Sequence, residues 1–155
     1  MLTSISFTVP GKARPKGSWR PMVSKTTGKV FVKPNSKDEQ FWAGMVASAA
    51  KEAIRKNGEA PPINMPVSVV IQAFFDRPKS HFRTGKHASE LRETAPASCT
   101  SKPDIDKIAR SVLDALAWVA YCDDSLVHIL IARKNWAPAG ESSFTTVRIE
   151  WDEPS

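Results

Sequence analysis

Residues Ser101–Val127 read SKPDIDKIARSVLDALAWVAYCDDSLV, and the pattern in this stretch decides the fold. Asp104 and Asp106 stand at the start of an apolar series, and Asp123 with Asp124 follows its far end. Ile105, Ile108, Ala109, Val112, Leu113, Leu116 and Val119 recur at helical spacing, which predicts a helix with one buried face opened by Pro103 and Asp104. A helix of about 15 residues is roughly 22 Å long, so the second acidic pair rejoins the first only if the chain turns back along the helix. The strand-like run Leu126–Ile131 makes that return possible.

Carboxylates brought within a few ångströms of one another repel, and the cluster costs stability unless a cation or a proton sits among them. Oxygen-only ligands suit Mg²⁺ or Mn²⁺, and Mg²⁺ commonly takes one or two carboxylates plus water and substrate phosphate. Such an arrangement is suited to cutting phosphodiesters. A second reading is purely local. Asp is favoured at a helix N-cap, which would account for Asp104, and an Asp-Asp pair makes a polar turn before a strand. Spacing alone leaves both open.

Upstream, residues 76–102 have no periodicity, and a connection of that length inside one domain is usually functional. From Arg77 to Lys102 it carries six Lys or Arg against two Glu, and it leads straight into Asp104. His81 and His87, six residues apart on an irregular segment, make a poor metal pair. Val67 to Phe75 alternates as a strand. Ser36 and Glu39 form a capping-box pattern ahead of Phe41, Trp42, Met45, Val46, Ala49 and Ala53, a helix that Asn57 and Gly58 end. Leu2 to Val9, Val30 to Val32 and Phe144 to Trp151 read as further strands. No acidic residue occurs from Met1 to Lys37, whereas Lys12, Arg14, Lys16 and Arg20 interleave there with Gly11, Pro15, Gly17 and Trp19, as in a basic loop. Trp19 could stack on a base or pack the loop down.

The elements sum to an α+β domain spanning residues 1–155, a small mixed sheet with two main helices. With 22 Lys plus Arg against 16 Asp plus Glu, the net charge of +6 favours an anionic partner such as nucleic acid. Cys99 and Cys122 match no CxxC metal spacing and are expected as free thiols of a reduced compartment. No apolar run approaches the roughly 20 residues of a membrane span, and no signal core opens the chain, so a soluble cytoplasmic protein without a membrane partner is expected.

KPDIDKIARSVLDAL followed by CDDSLV resembles the RusA family of Holliday-junction resolvases. FTVPGKARPKGSWR resembles the family's opening strand and basic loop, and FFDRPKSH resembles its segment ahead of the acidic helix. The resemblance implies a homodimer that cuts branched four-way DNA by paired nicks. Magnesium would be required, with manganese as a substitute, and no small-molecule cofactor. It implies a bacterial or phage-infected cell and a place beside the nucleoid. Carried over by position, the catalytic and metal-binding carboxylates fall on Asp104, Asp106 and Asp124. Arg110 stands where the family commonly has lysine, and Leu126 where it has glutamine. Lys107 and Arg110 would neutralise phosphate, while Lys12, Arg14, Lys16, Arg20, Arg77, Lys79, Arg83 and Lys86 would grip the backbone. Spacing also allows Asp106, Arg110 and Asp114 to form an ion-pair ladder on one helix face. A non-catalytic DNA-binding module of the same fold is the alternative.

Overall fold

The computed structural model describes residues 1–17, 21–32, 36–59 and 61–154. In chain order the elements are β1 (Leu2–Pro10), β2 (Pro21–Val23), β3 (Val30–Val32), α1 (Lys37–Lys56), β4 (Val67–Phe75), α2 (Ile105–Leu116), β5 (Val127–Trp136) and β6 (Phe144–Asp152). Alternation buries every second side chain of β4 from Val67 to Phe75, and this strand lies inside a four-stranded sheet of order β1-β6-β4-β5. It pairs antiparallel with β6 and parallel with β5. A parallel pair needs a crossover connection, and α2 is the helix of that crossover. Because Val67 lies opposite Val127 and Phe75 opposite Trp136, α2 begins at the end of the sheet where β4 and β5 finish, and the chain then returns to where they start.

Helix α1 opens as its capping pattern predicts, with Ser36 Oγ accepting from the Glu39 N–H at 3.2 Å. Its buried stripe is Trp42, Val46, Ala50 and Ile54, at steps of four. Phe41, expected on that stripe, is 71% exposed because its neighbour Trp42 takes the inward position. Helix α1 packs on β1 and on α2, and α2 packs on β5, so the helices together cover one face of the sheet. The other face carries Ser4, Ser6, Gln72, Arg148 and Glu150, which alternate with the buried residues of their strands.

Three details depart from the sequence reading. Helix α2 stops at Leu116, before Val119, and Trp118 takes the left-handed conformation (φ 65°) with its N–H bonded to the Tyr121 carbonyl at 2.7 Å. Ile105 is 38% exposed although its spacing matches the buried face, since it lies in the first turn at the rim of the sheet. Strand β2, which pairs with β3, has no signature in the sequence because three residues opening with proline carry no readable alternation. Both cysteines are free thiols. Among the described residues no helix is long and apolar enough to cross a membrane.

The burial contrast along α2 has a measurable consequence. Leu116 is fully buried, so Leu116→Ala should cost about 3 kcal/mol in urea unfolding, whereas Ile105→Ala should cost less than about 1 kcal/mol. Equal losses would contradict the placement of this helix.

Candidate functional site

Asp104 occupies the N-cap position of α2, yet its side chain accepts no hydrogen bond from the helix N–H groups. The carboxylate accepts instead from Lys102 Nζ at 2.5 Å, with Lys107 Nζ at 3.5 Å. The Lys102 ammonium, helped by Lys107, holds the Asp104 carboxyl below the usual carboxylate range. Lys12 and Arg14 join these groups around a cavity of about 410 Å³. Asp106, in the first turn of α2, is exposed and makes no ion pair among the described residues. The local capping role that its position suggests is thus not the role of Asp104.

Asp124 stands elsewhere. It opens a single 3-10 turn (Asp124–Leu126) that Asp123 caps by accepting from the Ser125 N–H at 2.8 Å, a bond that draws the Asp123 carboxyl downward. Burial pushes the Asp124 carboxyl upward, and the charges of Asp114 and Asp123 push it further, against a smaller pull from Lys16. Asp114 pairs with Lys16, whose backbone N–H also donates to the Lys107 carbonyl at 3.1 Å. Arg110 is exposed and forms no ion pair among the described residues, so the expected ladder is absent and Asp114 belongs with Lys16.

The expected convergence of Asp104, Asp106 and Asp124 is therefore not made within one chain. Among the described residues no three metal-ligating side chains come together. The cause is topological. Asp124 precedes the first residue of β5, whereas Asp104 follows Pro103, whose carbonyl accepts from Lys134 Nζ at 3.0 Å near the far end of β5. Asp124 lies near enough to Asp114 to feel its charge, and Asp114 stands ten residues along α2 from Asp104, roughly 15 Å of helix rise.

The basic residues divide likewise. Lys12, Arg14 and Lys107 surround Asp104. Arg77 lies over the Trp136 ring at 5.4 Å and donates to the Pro96 carbonyl at 2.8 Å, and Arg83 pairs with Glu90 at 2.8 Å, so both brace the long loop. Lys79 and Lys86 are exposed on separate short turns of that loop, outside the Asp104 cavity. Arg20 lies outside the described residues. Sequence reading missed Lys102 as a partner of Asp104. It also missed Lys134, whose second bond, to the Ser101 carbonyl at 2.6 Å, leaves no trace in spacing.

The family model of endodeoxyribonuclease RusA matches residues 12–150, from the basic loop through the acidic helix to the last strand. The chain belongs to the RusA family. A relative, the uncharacterized protein YqaN of Bacillus subtilis (strain 168), is 33% identical over 125 residues, which cover 79% of this chain and 81% of the relative. RusA membership implies endodeoxyribonuclease activity of the junction-resolving kind, and the RusA family acts on branched DNA. The donor chemistry of the Asp104 station fits a hard cation. Asp104 and Asp106 offer only oxygen, neither is used as a cap, and one or two carboxylates suffice for Mg²⁺ when a phosphate completes its shell.

The two stations should respond oppositely to loss of charge. A carboxyl whose folded-state pKa is raised destabilises the fold at neutral pH, and that penalty fades as pH falls through its folded value. Asp124→Asn should therefore raise the melting temperature at pH 7 in EDTA and flatten its rise on acidification. Asp104 is held low by lysines, so it contributes stability above its ordinary range that is lost as pH falls, and Asp104→Asn should leave the melting temperature unchanged or lower. Thermal melts from pH 4 to 7.5 decide, and shifts of the same sign would contradict this electrostatic account.

Proposed function

We propose that this protein is a homodimeric, Mg²⁺-dependent endonuclease that resolves four-way DNA junctions by paired nicks, with Mn²⁺ able to substitute. The observation that carries the reading is the Asp104 carboxylate, which sits at a helix start without capping it, pairs with Lys102 and Lys107, and lines an open cavity together with Lys12 and Arg14. A structural cap would bond the helix N–H groups, and a solvated surface aspartate would not need four cations around it. The lysines bind and orient a strand's phosphates and keep Asp104 ionised as the strand arrives. Asp104, Asp106 and Asp124 are the proposed holders of the metal, which when bound lowers the pKa of a water and neutralises charge on the phosphate. Arg110, one turn beyond Asp106 on the exposed side of α2, would add positive charge near the cut.

The proposed dimer is built on the free edge of β5, which carries Ile129, Leu130 and Ile131 at 46%, 44% and 44% exposure. Proteins normally blunt such edges with charge, proline or a cover, since an apolar edge pairs with another strand. The run is symmetric about Leu130. In an antiparallel pairing of two copies of β5 centred there, Leu130 meets its own counterpart and Ile129 meets Ile131, as a two-fold axis requires. In that register Val127 of one copy lies level with residue 133 of the other, so the turn that carries Asp124 comes towards the end of the sheet where the partner's Lys134 pins the segment ahead of the partner's Asp104. The pairing thus reunites the carboxylates that the fold separates, and it makes two sites related by two-fold symmetry, as paired nicks on opposed strands need.

The test uses a labelled synthetic four-way junction. Paired nicks on addition of Mg²⁺ and binding alone in EDTA are expected, and Asp104→Asn, Asp106→Asn and Asp124→Asn should each lower the cutting rate at least about 100-fold with binding kept. Binding without nicks in either Mg²⁺ or Mn²⁺ would favour the non-catalytic module. Leu130→Arg should leave a folded monomer by sedimentation and abolish cutting. A Leu130→Arg protein that stays dimeric would show that the interface lies elsewhere.

A further inference from the structure

A second cavity, of about 530 Å³, adjoins the Asp104 cavity and shares Lys12 and Lys102 with it. It opens where β1, β4 and β5 end and β6 begins, and its wall includes Phe75, Asp76, Trp136 and Ser143. The wall is prebuilt. The Gly11 N–H donates to the Ser143 carbonyl at 3.1 Å, the Asp76 N–H donates to Ser143 Oγ at 3.0 Å, and the Ser143 hydroxyl donates to the Asp76 carboxylate. That hydroxyl bond keeps the Asp76 carboxyl below its ordinary range, so it is an ionised acceptor. Trp136 is fixed by Arg77 over its ring and by the edge-on His81 ring at 5.0 Å. The buried indole Nε1–H of Trp136 has no acceptor among the described residues.

Phosphate alone would need neither an aromatic wall nor an acidic acceptor, and a carboxylate in the wall repels it. A flat ring carrying hydrogen-bond donors and acceptors uses all of these groups. The size suits a small ligand. Continuity with the Asp104 cavity says where such a ring comes from, because a strand whose phosphates lie against Lys12 and Lys102 carries its bases beside this opening.

We propose that this cavity receives one unpaired nucleobase of the bound DNA strand, next to the phosphate held at Asp104. The inference rests on the DNA-cleaving reading above and adds a site to it. Bases at a branch point are the least costly to take out of the stack, so the pocket favours branched over continuous duplex DNA and fixes which phosphate lies at Asp104. Asp76 accepts from a donor on the base edge, and Trp136 supplies the apolar wall.

The experiment measures affinity in EDTA, without cutting, for four-way junctions in which single nucleotides at the branch point are replaced in turn by an abasic analogue. For the parent protein, one position should lower affinity about tenfold, the scale of one base–aromatic contact. Ser142→Trp and Ser101→Leu, two exposed rim positions filled by bulk, should each weaken the intact junction by the same factor and show no further loss on the abasic junction. Circular dichroism identifies either variant should it fail to fold, and the other then decides. An abasic scan with no effect at any position overturns the pocket, as do losses that simply multiply. A parent protein that binds no branched DNA overturns the underlying reading together with the pocket.

Discussion

Parallel pairing of β4 with β5 is the constraint on which the remaining geometry depends. Parallel neighbours cannot be joined by a tight turn, so the chain must leave the end of β4, cross the sheet and re-enter at the beginning of β5. The long basic loop, Asp104, Asp106, α2 and Asp124 all lie on that crossover, and Lys12, Arg14 and Lys16 join them from the loop after β1. The same constraint that gathers these residues in sequence holds Asp104 at the start of α2 and Asp124 beyond its far end. In the proposed dimer a single chain would carry two half-sites, each with its own electrostatic character.

What fixes the first half-site is a lysine that reads as nothing in the sequence. Lys134 on β5 donates to the carbonyls of Ser101 and Pro103 and so pins the entry to α2 against the sheet. Charge-assisted bonds of this kind hold better than neutral ones, and two of them to carbonyls two residues apart set where Asp104 stands. Asp104 then meets cations from β1's following loop and from α2 itself, and is drawn away from the helix N–H groups. At the second half-site the balance is reversed, since burial and two neighbouring aspartates work against the charge on Asp124.

The strands of the four-stranded sheet and both helices were legible because their signal is periodic burial, and burial is what the fold enforces along Val67–Phe75 and along α2. The capping of α1 was legible for a different reason, a local bond between Ser36 and Glu39 that spacing encodes directly. The carboxylates themselves stood out by residue type. Their meeting place did not, because it depends on whether β5 joins β4 in parallel, a fact about non-local pairing that no window of sequence contains. For the same reason Asp114 looked like part of a ladder with Arg110, while a lysine from 98 residues upstream takes it. Phe41 and Ile105 misled because an apolar residue at the right spacing is buried only where a neighbouring element covers it.

Mixing two inactive proteins tests most directly whether a working site needs carboxylates from both partners. Asp104→Asn and Asp124→Asn chains, each without cutting activity alone, are unfolded together, refolded and assayed on the labelled junction with Mg²⁺. In a mixed dimer one site combines both substitutions, while the other keeps Asp104 from one chain and Asp124 from its partner. This account predicts that single nicks return in the mixture in proportion to the mixed dimer formed. Mixed dimers that are present by mass and cut no better than either parent would contradict it.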